Sequence, residues 1–269
     1  MKKAAVFIMC CIFALTLLAS CKSEDESSQE QNALTGSIVT FENVEKMRAA
    51  SPADGTVIEL LGYYNINDGA AGTFWFDASS VLEDNGGTVI APDGGSGRYI
   101  RLCEKNVLNV KMFGAKGSGT SDDTAAFQNA LTALDNGGTL TVPGGEYIIT
   151  APLTVNVSGI SICGDGTVTV TANAAMESVV IAKDVNDLTV SDITVACNKK
   201  AQNGIMLENV TGASLTSVSV KQFVVAGLSL NGVRSSTFSF VSAYTTSDGA
   251  SPLSAFGGSE YDLFSTCTF

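Results

Sequence analysis

The sequence predicts an all-β solenoid closed at its leading end by one short helix, and three observations carry that reading. From Val157 onward an apolar pattern φ-x-x-φ-x-φ recurs: Val157/Ile160/Ile162, Val190/Ile193/Val195, Leu215/Val218/Val220, Phe238/Val241/Ala243 and Phe264/Cys267/Phe269. The last four sets are offset by 25, 23 and 26 residues. A second column keeps similar step at Val179/Ile181, Ile205/Leu207, Leu228/Leu230 and Leu253/Ala255, with Gly, Asn, Asp and Ser between. Two short strand-like segments recurring at a fixed period, each too small to bury its own face, mark stacked coils. The third observation is Ala125 to Leu134, where Phe127, Ala130, Leu131 and Leu134 fall at helical spacing just ahead of the repeats.

Taken in chain order, residues 1–20 read as a targeting segment: Lys2 and Lys3, an apolar run from Ala4 to Leu18, then Leu18-Ala19-Ser20-Cys21. That last string resembles a bacterial lipobox, which implies a lipoprotein signal peptide and acylation of Cys21. Multiple acyl chains would hold the protein stably at a membrane. Residues 21–36 are polar, too poor in apolar side chains to fold, and read as a flexible tether. Their acidic start, Glu24-Asp25-Glu26, is similar to the export tag of some Gram-negative surface lipoproteins and equally suits a solvated linker. The expected location is therefore the outer membrane or cell surface of a Gram-negative bacterium.

Residues 37–105 read as a small β-rich module. Alternating runs at Val57-Ile58-Leu60, Thr73-Phe74-Trp75-Phe76 and Tyr99-Ile100-Leu102 are joined by Gly/Asp turns, and Val44 to Ala50 suits a helical turn. The aromatic cluster Tyr63, Tyr64, Phe74, Trp75 and Phe76 has two readings, the core of that module or a surface that stacks on sugar rings.

The solenoid is expected over 106–269, opening with VKMFGAKGSGTSDDTAAFQNALTALDNGGTLTVPGGEYII. Asp122, Asp123 and Thr124 are helix-cap candidates, since short polar side chains accept from the free N–H groups of a first turn. Asn136-Gly137-Gly138 stops the helix, and Pro143-Gly144-Gly145 reads as a turn before Tyr147. Phe113 to Tyr147 resembles the entry segment of the pectate-lyase superfamily, whose usual form is F-G-A-x-G-D-G-x-x-D-D-T, an amphipathic helix, then G-G-x-(V/L)-x-x-P-x-G-x-Y. Ser118 stands where that form has Asp. The resemblance implies a right-handed single-stranded parallel β-helix of the rhamnogalacturonase/epimerase-like and tailspike-like kind. It also implies an extended polysaccharide lying along the rod, and trimerisation is common in the tailspike branch. The module at 37–105 is likewise similar to the one preceding the helix in tailspikes.

Chemistry is less legible. With no histidine and no N-x-D, D-D, G-H-G or R-x-K set beyond the cap, the polygalacturonase-like machinery of the resembled group is missing. A lyase would need Ca2+ on several oxygens at one place. The outward acids Asp165, Asp184, Asp187, Asp192, Glu208, Asp248, Glu260 and Asp262 scatter along the sequence. Asp187 and Asp192, which flank one strand, and Arg234, the only arginine in the coils, are the catalytic candidates, each equally at home in a turn. The function expected is that of a polysaccharide lyase or glycoside hydrolase; the alternative is a non-catalytic glycan-binding or structural surface module.

Charge narrows the partners. Without residues 1–20 the chain has 13 basic and 27 acidic residues, 13 − 27 = −14, a surface that repels nucleic acid. Cys103, Cys163, Cys197 and Cys267 are far apart without C-x-x-C spacing, so no metal site is expected; they read as core residues, and disulfide pairing is not deducible. Because Phe269 is the last residue of a repeat, either further coils or a partner chain is expected over that end.

Overall fold

The computed structural model describes residues 38–259 and 263–268. The expectations for the signal segment 1–20, lipidated Cys21, the 21–36 tether, Glu260, Asp262 and Phe269 lie outside the described residues.

The leading module holds β1 (Val39–Phe41), α1 (Val44–Arg48), β2 (Val57–Leu60), β3 (Gly72–Asp77), β4 (Val89–Ile90) and β5 (Arg98–Arg101). They form one sheet in the order β1-β2-β3-β5-β4, parallel between β1 and β2 and antiparallel elsewhere. The aromatic cluster divides by strand alternation. Phe74 and Phe76 are buried with Ile58, Leu60 and Tyr99, whereas Trp75 between them is 36% exposed and Tyr64 44%. Arg101 is buried without a carboxylate: its guanidinium donates to the carbonyls of Gly87, Ala70 and Ala71 and lies 4.4 Å from the Phe74 ring centre. Burial pulls it down to about 10, so it stays charged at neutral pH.

The rod begins with β6 (Val107–Asn109), a 3-10 turn at Val110–Phe113, β7 (Ser118–Asp122) and α2 (Thr124–Ala133). Then come β8 (Gly138–Ile149), β9 (Leu153–Val155), β10 (Ile160–Ala172) and β11 (Met176–Lys183). Two three-strand coils follow: β12 (Thr189–Ser191), β13 (Thr194–Ala196), β14 (Ala201–Glu208), then β15 (Ser214–Thr216), β16 (Ser219–Lys221), β17 (Ala226–Asn231). The next is β18 (Thr237–Ser239), β19 (Ser242–Tyr244), β20 (Ser251–Phe256), and β21 (Leu263–Ser265) opens another. Every strand pairing in the rod is parallel, so this is a right-handed parallel β-helix built from stacked coils.

One core column runs Leu108, Leu140, Ile162, Val190, Leu215, Phe238, Phe264 through consecutive hydrogen-bonded strands. A second runs Tyr147, Val170, Val195, Val220, Ala243. The first repeat set read from the sequence is therefore misplaced. Ile162 stacks on Val190, and Val170, not Ile162, stacks on Val195. The loop Gly164-Asp165-Gly166 adds residues between the two columns relative to the later coils, where the ladder to β8 shifts register. The third column also moves by one residue: Val180 and Ala182, not Val179 and Ile181, align with Ile205 and Leu207. Ser178, Val179 and Val180 are buried in succession, which breaks the period of two, and a one-residue count then lands on the wrong face.

Pro143-Gly144-Gly145 does not end its strand; β8 continues through it for 12 residues. Asn186 pairs with Thr211, and the Asn209 amide donates to Asp184.

Helix α2 closes the leading end. Phe127, Ala130, Leu131 and Leu134 are buried, and Phe127 meets Tyr147 edge-on at 5.2 Å between ring centres. Gln128 completes the edge of β9, accepting from Thr154 N (3.0 Å) and donating to Thr154 O (3.1 Å) as a neighbouring strand would. The cap candidates take different tasks. Asp122 accepts from Thr124 N (3.0 Å) and from the Thr150 hydroxyl (2.6 Å), and Thr124 Oγ1 accepts from Thr150 N. Asp123 occupies the N-cap position yet makes no capping bond; its carboxylate turns back to accept from Lys116 N (2.6 Å) and Gly117 N (2.9 Å). It clamps the glycine loop to the helix start rather than capping the helix.

All four described cysteines are free thiols; Cys197 is buried, which raises it to about 12. Ser178 Oγ is buried without a hydrogen-bond partner. A buried hydroxyl left unmatched costs about 1–3 kcal/mol, so Ser178→Ala should leave stability unchanged or raise it by about 1 kcal/mol in urea unfolding. A loss above that would show the hydroxyl to be satisfied.

Candidate functional site

Between β11 and β12, and at the same place in the next two coils, the chain turns by one recipe. It reads Asp184-Val185-Asn186-Asp187, then Asn209-Val210-Thr211-Gly212, then Gly232-Val233-Arg234-Ser235. The valines point inward and are buried. The flanking positions take positive φ: 55° and 54°, 52° and 75°, 65° and 52°. Asp, Asn and Gly recur there because they tolerate the left-handed region best. A third such column lies between the paired short strands: Asp192, Ser217, Phe240 and Thr266, with φ from 53° to 58°.

That geometry explains the acidic candidates. Asp187 and Asp192 stand at opposite ends of β12, each in a left-handed turn, and the structure does not bring them together as a pair. Asp187 does share its turn face with Arg234, because Asn186, Thr211 and Arg234 are bridged in succession. Ideal placement of a Cβ on Gly212 would put it 2.6 Å from Asp187 Oδ1, so glycine lets that carboxylate lie flat on the next coil.

Beside these positions charged and amide groups pair from coil to coil. Lys183 Nζ lies 3.0 Å from Glu208 Oε1 one coil on, and the hydrogen bond to Glu208 followed by its charge raises the lysine. Asn209 Nδ2 donates to Asp184 Oδ1 at 2.9 Å, and Asn231 aligns with Glu208. Lys183, Asp184, Glu208, Asn209 and Asn231 thus form one polar outer face stepped at the coil spacing of about 4.8 Å, and Arg234 lies on the neighbouring column above Asn186 and Thr211. Sequence reading treated Glu208 as one of several scattered acids and passed over Lys183. The signal was there, since 183/208 and 184/209 are both offset by 25, the repeat length. Among the described residues, no three Asp, Glu or Cys side chains gather as metal ligands would.

Residues 107–238 match the family model described as rhamnogalacturonase A/epimerase, pectate lyase-like. The rod is a pectate-lyase-like parallel β-helix. Residues 40–104 match the phage tail protein small four-stranded β-sheet domain. The enzymatically active domain of bacteriophage CBA120 tailspike protein 2 superposes with a TM-score of 0.55 at 16% identity, over 89% of this chain and 46% of that one. Pantoea stewartii WceF, a glycan biofilm modifying enzyme with a tailspike-like parallel β-helix, does so with a TM-score of 0.57 at 12% identity, over 86% and 40%. Among curated proteins, mannuronan C5-epimerase AlgE3 of Azotobacter vinelandii is 46% identical over 68 residues, 24% of this chain and 3% of that one. Alginate lyase 7 of the same organism is 43% identical over 67 residues, 24% of this chain and 7% of its own. The chain spans less than half of these solved structures and a small fraction of the curated relatives it matches.

Proposed function

We propose that this protein engages an extended polysaccharide along the outside of its pectate-lyase-like rod and modifies it, as a lyase or glycoside hydrolase. The observation that carries the reading is the stepped polar face Lys183–Glu208–Asn231, which steps with the coils as a polymer repeats with its sugars. The similarity of part of the chain to enzymes named for mannuronan and alginate, and of the fold to a glycan-modifying enzyme, supports the same class of ligand. In this reading Cys21 carries the lipid and residues 21–36 hold the rod off the outer membrane, with self-association as a trimer an open extension of it.

The test is a panel of pectins, alginates and glycosaminoglycans incubated with the full chain. Unsaturated ends are followed by ultraviolet absorbance, cleavage by reducing sugar, and inversion at C5 by proton NMR. A signal in one readout that Glu208→Gln or Lys183→Ala abolishes supports catalysis at this face, and one that Arg234→Ala abolishes moves it to the neighbouring turn column. Calorimetric titration with millimolar calcium separates the lyase form, which requires binding. A second reading, a non-catalytic glycan-binding module, is favoured by one feature: the acids of the left-handed turns are already employed, Asp184 by Asn209 and Asp187 against Gly212. Glycan binding with silence in all three chemical readouts would select it.

A further inference from the structure

Along β8, β10, β12, β15 and β18 one pattern recurs in every coil: a small neutral residue, a core residue, a small neutral residue. It reads Thr139-Leu140-Thr141, Ser161-Ile162-Cys163, Thr189-Val190-Ser191, Ser214-Leu215-Thr216 and Thr237-Phe238-Ser239. The middle residue is buried each time, and the outer two are half-buried. Strand pairing sets Thr139, Ser161, Thr189, Ser214 and Thr237 in one file on the outer face. Thr141, Cys163, Ser191, Thr216 and Ser239 make a second. The two files run side by side, about 6.6 Å apart along the strands and stepped by about 4.8 Å from coil to coil. Every position but Cys163 carries a hydroxyl.

Among the described residues none of these hydroxyls has a hydrogen-bond partner within the protein. Hydroxyls elsewhere on the coils do. Ser158 accepts from Asn186 N at 2.9 Å, Ser242 donates to Ser219 at 3.2 Å, and Thr245 donates to Phe223 O at 2.7 Å. The grid is also uncharged on a chain of net charge −12. The outer positions of the neighbouring strand set, by contrast, include Glu146 and Lys221, and Asp187 and Asp192 stand in turns at the margins of the grid. Its geometry is stiff. The β-branched threonines are held to few rotamers, and the turn after each of the last three strands repeats at φ 58°, 56° and 54° (Asp192, Ser217, Phe240).

We propose that this face binds ice. Each hydroxyl both donates and accepts, as a water molecule in the lattice does. A grid fixed in two directions by the backbone orders a water layer at its surface, so little freedom is lost when that layer joins a crystal. The prism faces of hexagonal ice present oxygens in rows with two perpendicular repeats of similar lengths. A single polymer chain needs groups stepped in one direction only, and would be gripped by rings, amides or charges, all of which the grid lacks. The crystal is uncharged, and so is the surface offered to it. The methyl groups of Thr139, Thr141, Thr189, Thr216 and Thr237 add apolar contact in the hollows between lattice oxygens. This activity lies beyond the modification of a polysaccharide and uses none of Lys183, Glu208 and Asn231.

The full chain is tested on a single seed crystal in a nanolitre osmometer, and by the partition of dye-labelled chain into a slowly growing ice finger. The native chain should facet the seed, hold its growth below the melting point and concentrate in the ice. Thr189→Tyr/Thr216→Tyr sets two rings in the middle of the grid and should bring both readouts down to those of buffer. Thr194→Tyr, the same change on the neighbouring strand set, should behave as the native chain does. Ser191→Thr/Ser214→Thr should widen the gap between melting and growth, and circular dichroism checks that every variant is folded. A native chain that leaves the seed round and stays in the liquid overturns the proposal, while the polysaccharide reading stands. So does a folded Thr189→Tyr/Thr216→Tyr chain that still arrests growth, or a Thr194→Tyr chain that loses as much. Binding to neutral dextran that the grid variant abolishes, without any effect on ice, would assign the face to a glycan instead.

Discussion

Phe127→Ala is expected to lower the free energy of unfolding by about 3–5 kcal/mol, the range for emptying a fully buried aromatic site. The ring is 1% exposed and sits edge-on against Tyr147, so its removal opens a cavity between helix and first coils. Tyr147 cannot follow into the gap, because its hydroxyl donates to Pro143 O at 2.6 Å and its ring is fully buried. The effect should exceed that of the same truncation at an exposed aromatic such as Phe240, because a rod whose coils bury each other is weakest where the series begins. Urea unfolding followed by circular dichroism measures it. A loss under about 1.5 kcal/mol would mean that α2 does not seal the leading end.

Asp123→Asn should cost about 2–4 kcal/mol, since it breaks hydrogen bonds to a buried charge. Both carboxylate oxygens accept from backbone, at Lys116 N and Gly117 N, and the residue is 1% exposed. The amide of Asn has one acceptor and presents a donor to the other N–H, so the isosteric change is nearly as harmful as truncation. Asp122→Ala, one residue away, should cost about 1 kcal/mol, because Asp122 is exposed and its bonds to Thr124 N and the Thr150 hydroxyl lie at the surface. The order Asp123 above Asp122 is the discriminating result; equal losses would return Asp123 to an ordinary capping role.

These two aspartates show what the sequence makes legible. That short polar residues stand before α2 is visible from type and spacing; which of them caps and which clamps the Gly114–Gly119 loop depends on where the loop lies in space. The solenoid was legible because Val190, Leu215 and Phe238 recur at nearly constant offsets while turns stay polar. Register was legible only where a coil kept the standard length. The extra residues at Gly164-Asp165-Gly166 displaced Ile162, and three buried residues in succession displaced Val179 and Ile181 by one. Ala182, a small residue in a core column, offered no hydrophobic signal strong enough to correct the count.

The site was harder for a related reason. Asp184, Asp187 and Asp192 attract attention as acids, yet the backbone wants them for their tolerance of positive φ. Arg234 was singled out for its rarity, and its position in one column with Asn186, next to Asp187, follows only from the bridge through Thr211. The Lys183–Glu208 pair is a product of coil-to-coil alignment, which no local motif records.

The coils stack in parallel in one register, and the chain holds a built-in probe of it. Cys163 lies directly across from Ser191 on adjacent strands. Neighbouring strands sit about 4.8 Å apart, within the span a disulfide bridges. Under mild oxidation Ser191→Cys should therefore form a disulfide with Cys163, identified by peptide mass mapping, while Thr189→Cys, two residues away on the same face, should leave Cys163 free. A bridge from position 189 in place of 191, or none from either, would contradict the stacking register and with it the faces assigned to ligand.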